Sequence, residues 1–192
     1  MKKNEIDLFF EERKNDMNDM SNDVELRKKS LEWMLHADKY KYTYNFTWMG
    51  RPIIKYPNDM IVQQELMWKL KPDLIIETGI AHGGSIIYTA SMMEMMGIKG
   101  EVVGIDIDIR EHNKDKILNH PMSNRITMYE GDSVSENIID KVSSHVVGKK
   151  CIMVILDSLH SHDHVYKELL AYSKFVTEKS YIILPDTFIE FF

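Results

Sequence analysis

Short apolar runs alternate with helix-compatible segments from Asp73 onward. The runs lie at Leu74–Ile76, Val102–Ile105, Ile126–Tyr129, Ile152–Leu156 and Tyr181–Leu184. The segments between them lie at 85–96, 111–119, 133–146 and 162–176. Because strands with two apolar faces that alternate with helices form a parallel sheet covered on both sides, the pattern predicts an α/β fold. Right-handed crossovers make that sheet doubly wound.

The chain before Asp73 follows a different pattern. Residues 1–30 are polar and charge-dense, whereas Asp23–Ala37 has Leu31, Met34 and Leu35 on one helical face. Met60 to Leu70 also has helical spacing and stops before Pro72. We therefore predict an N-terminal helical extension over residues 1–43 and a main domain over residues 44–192.

Aromatic residues alternate with polar ones just before the main domain's first helix. They are Tyr40, Tyr42, Tyr44, Phe46 and Trp48. One interpretation is an extended segment that covers the core. The other is one wall of a substrate pocket, since aromatic side chains with a polar tip suit a sugar or a phenol-like ligand.

The composition is that of an ordinary globular protein. Of 192 residues, 44% are hydrophobic and 28% are charged, which fits one domain with an extension. The formal net charge of −6 argues against nucleic acid as a partner. No apolar run approaches a membrane span, the first residues lack a signal-peptide pattern, and one cysteine excludes a disulfide framework. We therefore expect a cytoplasmic protein with no membrane span.

A glycine-rich loop joins the first predicted strand to the next helix. Its residues are Glu77, Gly79, Gly83, Gly84 and Ser85. Glycines let a ligand approach the backbone, and the N–H groups of the following helix point at the same place. Open α/β sheets bind ligands at this edge, so these residues are the predicted cofactor-binding loop.

The next two strand ends carry further polar residues. Asp106 ends the second strand, where an acid binds the ribose hydroxyls of a nucleotide-like cofactor. The glycine spacing differs from the dinucleotide fingerprint, which favours a nucleoside cofactor without pyrophosphate. Asp132 and Ser133 end the third strand, and they either read the edge of an adenine or cap the helix that follows.

The last two strand ends carry candidate metal ligands. Asp157 and Asp186 would stand side by side at the carboxyl edge and hold Mg²⁺, since carboxylates suit this cation. His160 would lie one helical turn from Asp157 and take a proton from the acceptor. Three histidines also suggest zinc, but their spacing without a further ligand fits zinc poorly, and His162 is expected to be solvated.

These motifs together resemble one family. The residues are Glu77-Thr-Gly79-x-x-x-Gly83-Gly84-Ser85, Gly104-Ile-Asp106-Ile-Asp108, Gly131-Asp132-Ser133, Asp157-Ser158-x-His160-x-x-x-His164-Val165-x-x-Glu168-Leu169 and Asp186-Thr187, with Trp48-x-Gly50-x-Pro52 and Asp59. From about Tyr44 to Thr187 the chain resembles the cephalosporin hydroxylase / rhamnosyl O-methyltransferase family. The resemblance implies the Rossmann-like class I methyltransferase sheet, with strand order 3-2-1-4-5, and S-adenosylmethionine and Mg²⁺ as cofactors.

The resemblance also implies roles for single residues. Glu77, Gly79 and Ser85 would face the methionine part of the cofactor, Asp106 the ribose, and Asp132 and Ser133 the adenine. Asp157 and Asp186 would hold the metal, and His160 would replace the catalytic lysine of the similar catechol enzymes.

The chain departs from the family pattern in two ways. Pro185 stands where family members carry an acid. The C-terminal hairpin strands of the class I sheet have no residues here, so we expect a C-terminal truncation or a subunit contact in a homo-oligomer.

The sequence therefore predicts a Mg²⁺-assisted O-methyltransferase that acts on a hydroxyl of a sugar or small natural product. One alternative is a non-haem iron hydroxylase that uses Asp157, His160 and His164. Another is a binding protein that retains the fold without the chemistry.

Overall fold

The computed structural model describes residues 4–187, which fall into two compact units. One unit comprises the residues up to Tyr42, and the other begins at Thr43. The assignment of an extension and a catalytic domain to these parts of the chain stays a prediction. No helix of residues 4–187 is long and apolar enough to cross a membrane.

The first unit contains two helices, α1 (Glu5–Asn22) and α2 (Val24–Asp38). Helix α1 lies within the predicted helical extension, although its own bounds were not predicted, and none of its residues is buried. Its beginning is instead stabilised locally by a capping box between Asn4 and Asp7. The side chain of Asp23 then caps α2 by accepting from the Leu26 N–H.

The second unit opens with a short antiparallel hairpin. Strand β1 (Phe46–Trp48) pairs with β2 (Arg51–Ile53), and helix α3 (Pro57–Leu70) follows. The aromatic stretch is thus part turn and part hairpin. Trp48 packs edge-on against Tyr88 at 5.0 Å between ring centroids, and its Nε1 donates to Ser91 Oγ. Trp48 therefore covers the core, as the first interpretation of this stretch held.

Within residues 4–187 the main sheet has five parallel strands. They are β3 (Leu74–Thr78), β4 (Glu101–Asp106), β5 (Ile126–Glu130), β6 (Ile152–Leu156) and β7 (Ile182–Ile183). Their spatial order is β5-β4-β3-β6-β7, so the predicted order 3-2-1-4-5 is confirmed. Because all strands run in one direction, their carboxyl ends meet at a single edge.

Four helices connect the strands. They are α4 (Gly84–Met95), α5 (Glu111–Leu118), α6 (Glu136–Val146) and α7 (His162–Tyr172). The predicted start of α6 was wrong, because Ser135 is its N-cap residue, and neither Asp132 nor Ser133 caps it. The predicted end of α7 was also too late, since a 3₁₀ turn follows at Ser173–Phe175.

Both faces of the sheet are buried. Alternate residues of β3 join two separate apolar clusters, with Ile75 in one and Leu74 and Ile76 in the other. The first cluster includes residues of α3 and α4, and the second includes residues of α6 and α7. This burial explains why the strands are apolar on both faces, as the sequence pattern predicted.

Candidate active site

Two adjoining cavities open at the carboxyl edge of the sheet. The larger has a volume of about 490 Å³ and is lined by residues that follow β3, β4, β5 and β6, among them Asp106, Asp132 and Ser133. The smaller, of about 300 Å³, is lined by Tyr44, Ser85, His160 and Asp186 among others. Both cavities share Gly79, Ala81, Asp157 and Ser158. The larger volume suits a small-molecule ligand.

The glycine loop is shaped by contacts with other parts of the backbone. A Cβ on Gly79, whose φ is +88°, would lie 1.9 Å from the carbonyl oxygen of Asp157. A Cβ on Gly84 would lie 2.1 Å from the carbonyl oxygen of Pro52. We predicted these glycines for the approach of a ligand. In the structure Gly79 allows the backbone at the end of β6 to approach the loop, and Gly84 allows the backbone of β2 to do so.

Side chains hold the same loop from both sides. Asp106 Oδ2 accepts from the N–H groups of Ile80 at 2.7 Å and Ala81 at 2.9 Å. Arg51 donates to the carbonyl oxygen of His82 from Nε at 2.9 Å and from Nη2 at 2.6 Å. Since a carboxylate has about four acceptor positions, Asp106 retains capacity for a ligand hydroxyl in the larger cavity.

Asn113, from α5, also binds the glycine loop. We call Asp106, Arg51 and Asn113 together the clamp on this loop. Asn113 Oδ1 accepts from Arg51 Nη2 at 2.6 Å, and Asn113 Nδ2 donates to the carbonyl oxygen of Ala81 at 3.1 Å. Asn113 is buried, so these hydrogen bonds form away from solvent. Neither Arg51 nor Asn113 was predicted to hold the loop, because the two residues meet only in the folded chain.

Glu77 is fully buried at the end of β3. Burial raises the pKa of its carboxyl to about 7, although Lys55 and Ser85 oppose the shift. Its Oε2 accepts from the Thr89 hydroxyl at 3.4 Å. Among the described residues, Glu77 Oε1 and Ser85 Oγ are buried and lack a hydrogen bond of normal geometry, although the Ser85 hydroxyl acts on the Glu77 carboxyl.

A second polar cluster lies beneath the larger cavity around Glu168. Glu168 Oε1 accepts from Ser133 Oγ at 2.6 Å and from Ser158 Oγ at 2.8 Å. His164 Nε2 lies 3.3 Å from the same carboxylate oxygen. Glu168 is 1% exposed, and its Oε2 has no hydrogen-bond partner. Ser133 therefore lines the larger cavity, and its hydroxyl also donates to an acid that the prediction had not assigned.

The predicted metal ligands meet at the smaller cavity. His160 Nε2 lies 3.8 Å from Asp157 Oδ1 and 3.6 Å from Asp186 Oδ2. One donor atom of each residue lies within 4.8 Å of the others, which suits a single divalent cation. Burial and the neighbouring charge of Asp157 raise the pKa of Asp186. The residues after Asp157 form a loop, because α7 begins only at His162.

Lys55 also enters this cluster, and sequence reasoning missed it. Its Nζ donates to Asp157 Oδ2 at 2.7 Å, and its side chain is only 5% exposed. Burial lowers the pKa of Lys55, but the charges of Asp157, Glu77 and Asp186 outweigh that effect and raise it. The one signal in the sequence was a lysine directly after the apolar Ile53-Ile54 pair.

The family described as Rhamnosyl O-methyltransferase/CmcI matches residues 40–191. The chain belongs to this family. Rhamnosyl O-methyltransferase of Mycobacterium leprae (strain TN) is 31% identical over 144 residues, which cover 73% of this chain and 60% of that protein. The protein of the same name from Mycobacterium tuberculosis (strain ATCC 25618 / H37Rv) is 32% identical over 147 residues, covering 73% and 56%.

The chain thus spans about 60% of the length of these family members. A solved structure of CmcI with Mg and SAM is similar to this fold, with a TM-score of 0.57 and 24% identity. That likeness covers 77% of this chain and 60% of the CmcI chain. The class I methyltransferase fold predicted from the motifs is therefore confirmed.

The arrangement of Asp157, His160 and Asp186 also bears on the zinc site and the iron hydroxylase, the two other metal sites considered from the sequence. Among residues 4–187, Asp157, His160 and Asp186 are the acids and histidines that gather as possible metal ligands. His162 is exposed, and His164 is instead engaged with Glu168 and Ser158. An iron site built from Asp157, His160 and His164 would need His164 to leave these contacts. The structure therefore does not favour the hydroxylase alternative or a three-histidine zinc site.

Proposed function

We propose that this protein is an S-adenosylmethionine-dependent O-methyltransferase that acts on a hydroxyl of a sugar or small natural product. The carrying observation is that the two cavities share one wall, which contains Asp157. A nucleoside cofactor in the larger cavity and an acceptor in the smaller would therefore meet at that wall. The family and the rhamnosyl O-methyltransferase relatives support the reaction class and a sugar acceptor.

The larger cavity fits the cofactor by its size and its polar groups. In the proposed arrangement Asp106 binds the ribose hydroxyls, while Asp132 and Ser133 lie beside the adenine. The methionine part extends from the larger cavity along the loop of Glu77, Gly79, Gly83, Gly84 and Ser85 to the wall that both cavities share. The Ser85 hydroxyl supports this placement, because it lines the smaller cavity and lacks a hydrogen bond of normal geometry among the described residues. When bound, S-adenosylmethionine supplies the electrophilic methyl group.

Asp157 and Asp186 are the proposed ligands of a divalent cation, most simply Mg²⁺. The two carboxylates fit a hard cation, since one oxygen of each lies within 4.8 Å of the other. When bound, Mg²⁺ lowers the pKa of an oxygen that it contacts. The Mg and SAM in the CmcI structure support this assignment.

His160 is the proposed general base. Its Nε2 faces the smaller cavity's acidic groups, and the carboxylates of Asp157 and Asp186 stabilise the imidazolium formed when it accepts the acceptor's proton. Tyr44, Pro52 and Ile54 form the wall against which the acceptor would be oriented. Most of the rate enhancement would then come from positioning the two reactants.

Calorimetry with S-adenosylmethionine, with and without Mg²⁺, tests the cofactor assignment. Asp106→Ala should weaken binding by about 1–3 kcal/mol, because the ribose hydroxyls lose a charged acceptor. Asp108→Ala is the matched control, since Asp108 is an exposed carboxylate two residues away. Unchanged affinity in Asp106→Ala would remove the cofactor assignment.

A fold-retaining binding protein is the second candidate. Pro185, directly before Asp186, supplies no metal ligand, which is the observation that favours it. Methyl transfer from radiolabelled S-adenosylmethionine to a panel of rhamnosides and small phenols separates the two. Cofactor binding without transfer to any acceptor would favour the binding protein.

We further propose that residues 1–43 form a helical extension, that the protein acts in the cytoplasm, and that it forms a homo-oligomer. Among the described residues β7 is an edge strand of the sheet, and an edge strand can pair with a second chain, which supports a subunit contact there. Light scattering of the purified protein tests the oligomer, and a monomer at micromolar concentration would contradict it.

A further inference from the structure

Lys55 divides the carboxylate of Asp157 between two environments. One oxygen, Oδ2, accepts from the Lys55 ammonium at 2.7 Å. The other, Oδ1, faces His160 Nε2 at 3.8 Å within the predicted metal cluster. The ion pair is enclosed, because the side chains of Lys55 and Asp157 are 5% and 15% exposed. A pair in such a site is screened much less than a surface pair.

The ammonium does not face the acceptor. Lys55 lines neither of the two cavities, whereas its sequence neighbour Ile54 lines the smaller one. It comes from the segment between β2 and α3, so its position depends on the hairpin rather than on the main sheet. Lys55 thus acts through Asp157 and not on the reacting atoms.

The charges of the cluster depend on Lys55. Asp157 and Asp186 bring two negative charges, and the ammonium compensates one of them. Cation affinity in oxygen sites rises with the number of ligand charges. A fixed positive charge beside a ligand therefore lowers the affinity for a divalent cation, and it also leaves only one oxygen of Asp157 for that cation.

We propose that Lys55 is a positioning residue that serves as an internal cation: it fixes Asp157 and keeps the Asp157–His160–Asp186 cluster a weak, reversible site for divalent cations. The inference rests on the metal role in the proposed function. It adds that loss of Lys55 tightens cation binding while it loosens the orientation of Asp157. If Lys55 had only a structural role, its removal would instead weaken cation binding.

The test measures Mn²⁺ binding to the full chain by calorimetry, without cofactor or acceptor. Lys55→Gln removes the charge but keeps a donor for Asp157 Oδ2, and Lys55→Met removes both. We expect both variants to bind Mn²⁺ about tenfold or more tightly than the unaltered protein. Lys55→Arg, which keeps the charge, should bind it like the unaltered protein.

Lys149→Met is the matched control. Lys149 pairs with Glu101 at the first residue of β4, at the opposite edge of the sheet. This variant changes the net charge as much as Lys55→Met does, so its Mn²⁺ affinity should stay unchanged. An equal gain in Lys149→Met would show a general charge effect and would overturn the inference.

The outcomes separate this inference from the proposed function. If neither the unaltered protein nor the neutral variants bind Mn²⁺, the metal role fails and the inference fails with it. If the neutral variants bind Mn²⁺ no more tightly than the unaltered protein, the inference is overturned, whatever the protein's methyl-transfer activity. If a neutral variant is unfolded, it is titrated with Mn²⁺ and its helix content is followed by circular dichroism. Recovery of helix on addition of Mn²⁺ supports the inference, and no recovery overturns it.

Discussion

At the scale of single residues, the site combines buried acids with few compensating cations. Glu77 is the clearest case, because burial raises the pKa of its carboxyl to about 7. The raised pKa means that the folded state binds a proton more tightly than the unfolded state does. Its contribution to stability is therefore fully present below the ordinary pKa of 4.5 and is lost as pH rises through about 7.

Glu77→Gln should remove this pH dependence. The shift from 4.5 to about 7 corresponds to roughly 3 kcal/mol in the free energy of unfolding between pH 4.5 and 8. Urea unfolding at several pH values, without ligands, measures the effect. Glu101→Gln is the contrast, because Lys149 and His145 overcome burial and lower the pKa of Glu101, so its stabilisation is lost as pH falls. An unchanged pH profile in Glu77→Gln would contradict the assignment.

The role of His160 gives a second prediction at this scale. His160→Ala should lower turnover by about 10²–10⁴, the usual range for loss of a general base, while cofactor affinity stays nearly unchanged. His162→Ala is the control, since His162 is exposed two residues away. Steady-state methyl transfer measures both variants, and full turnover in His160→Ala would exclude the base role.

At the scale of elements, the regular parts of the fold could be predicted and the long-range contacts could not. Strand β6 was predicted with its observed bounds, because its five residues are all buried and apolar. The bounds of α1 were not predicted, because its capping residues Asn4 and Asp7 depart from the usual Ser/Thr-x-x-Glu pattern. Lys55 and Glu168 were not assigned roles for another reason. Each acts through partners far away in sequence, and one sequence does not show which residues meet.

The clamp on the glycine loop gives a prediction at the element scale. Arg51→Ala removes three hydrogen bonds that tie the β2 hairpin to the loop and to Asn113. Because the loop must then order itself when the ligand binds, we expect affinity for S-adenosylhomocysteine to fall by about 1–3 kcal/mol. Calorimetry measures this change.

Arg125→Ala is the matched control for the clamp. Arg125 donates to Glu94 and to the carbonyl oxygens of Ile98 and Gly100, which lie outside both cavities. This variant should lose stability and keep its affinity for S-adenosylhomocysteine. Equal losses of affinity in both variants would show that Arg51 supports the fold alone.

At the scale of the whole molecule, the sheet edge brings residues from most of the second unit into one place. The predicted site residues extend from Glu77 to Asp186, and the structure adds Arg51 and Lys55 from the hairpin region. All of these residues follow Thr43, where the second unit begins. In the described part of the chain, the two apolar clusters contain no residue before Phe46. The site and the core therefore depend on the same unit.

Removal of residues 1–42 tests whether that unit is sufficient. We expect the shortened chain to fold cooperatively and to bind S-adenosylhomocysteine with about the affinity of the full chain, because every proposed contact is retained. Its methyl transfer depends on whether the helices α1 and α2 contribute to the acceptor site or to association of subunits. Thermal unfolding, calorimetry and light scattering together distinguish these cases. A shortened chain that folds but no longer binds the cofactor product would show that the first unit takes part in the site.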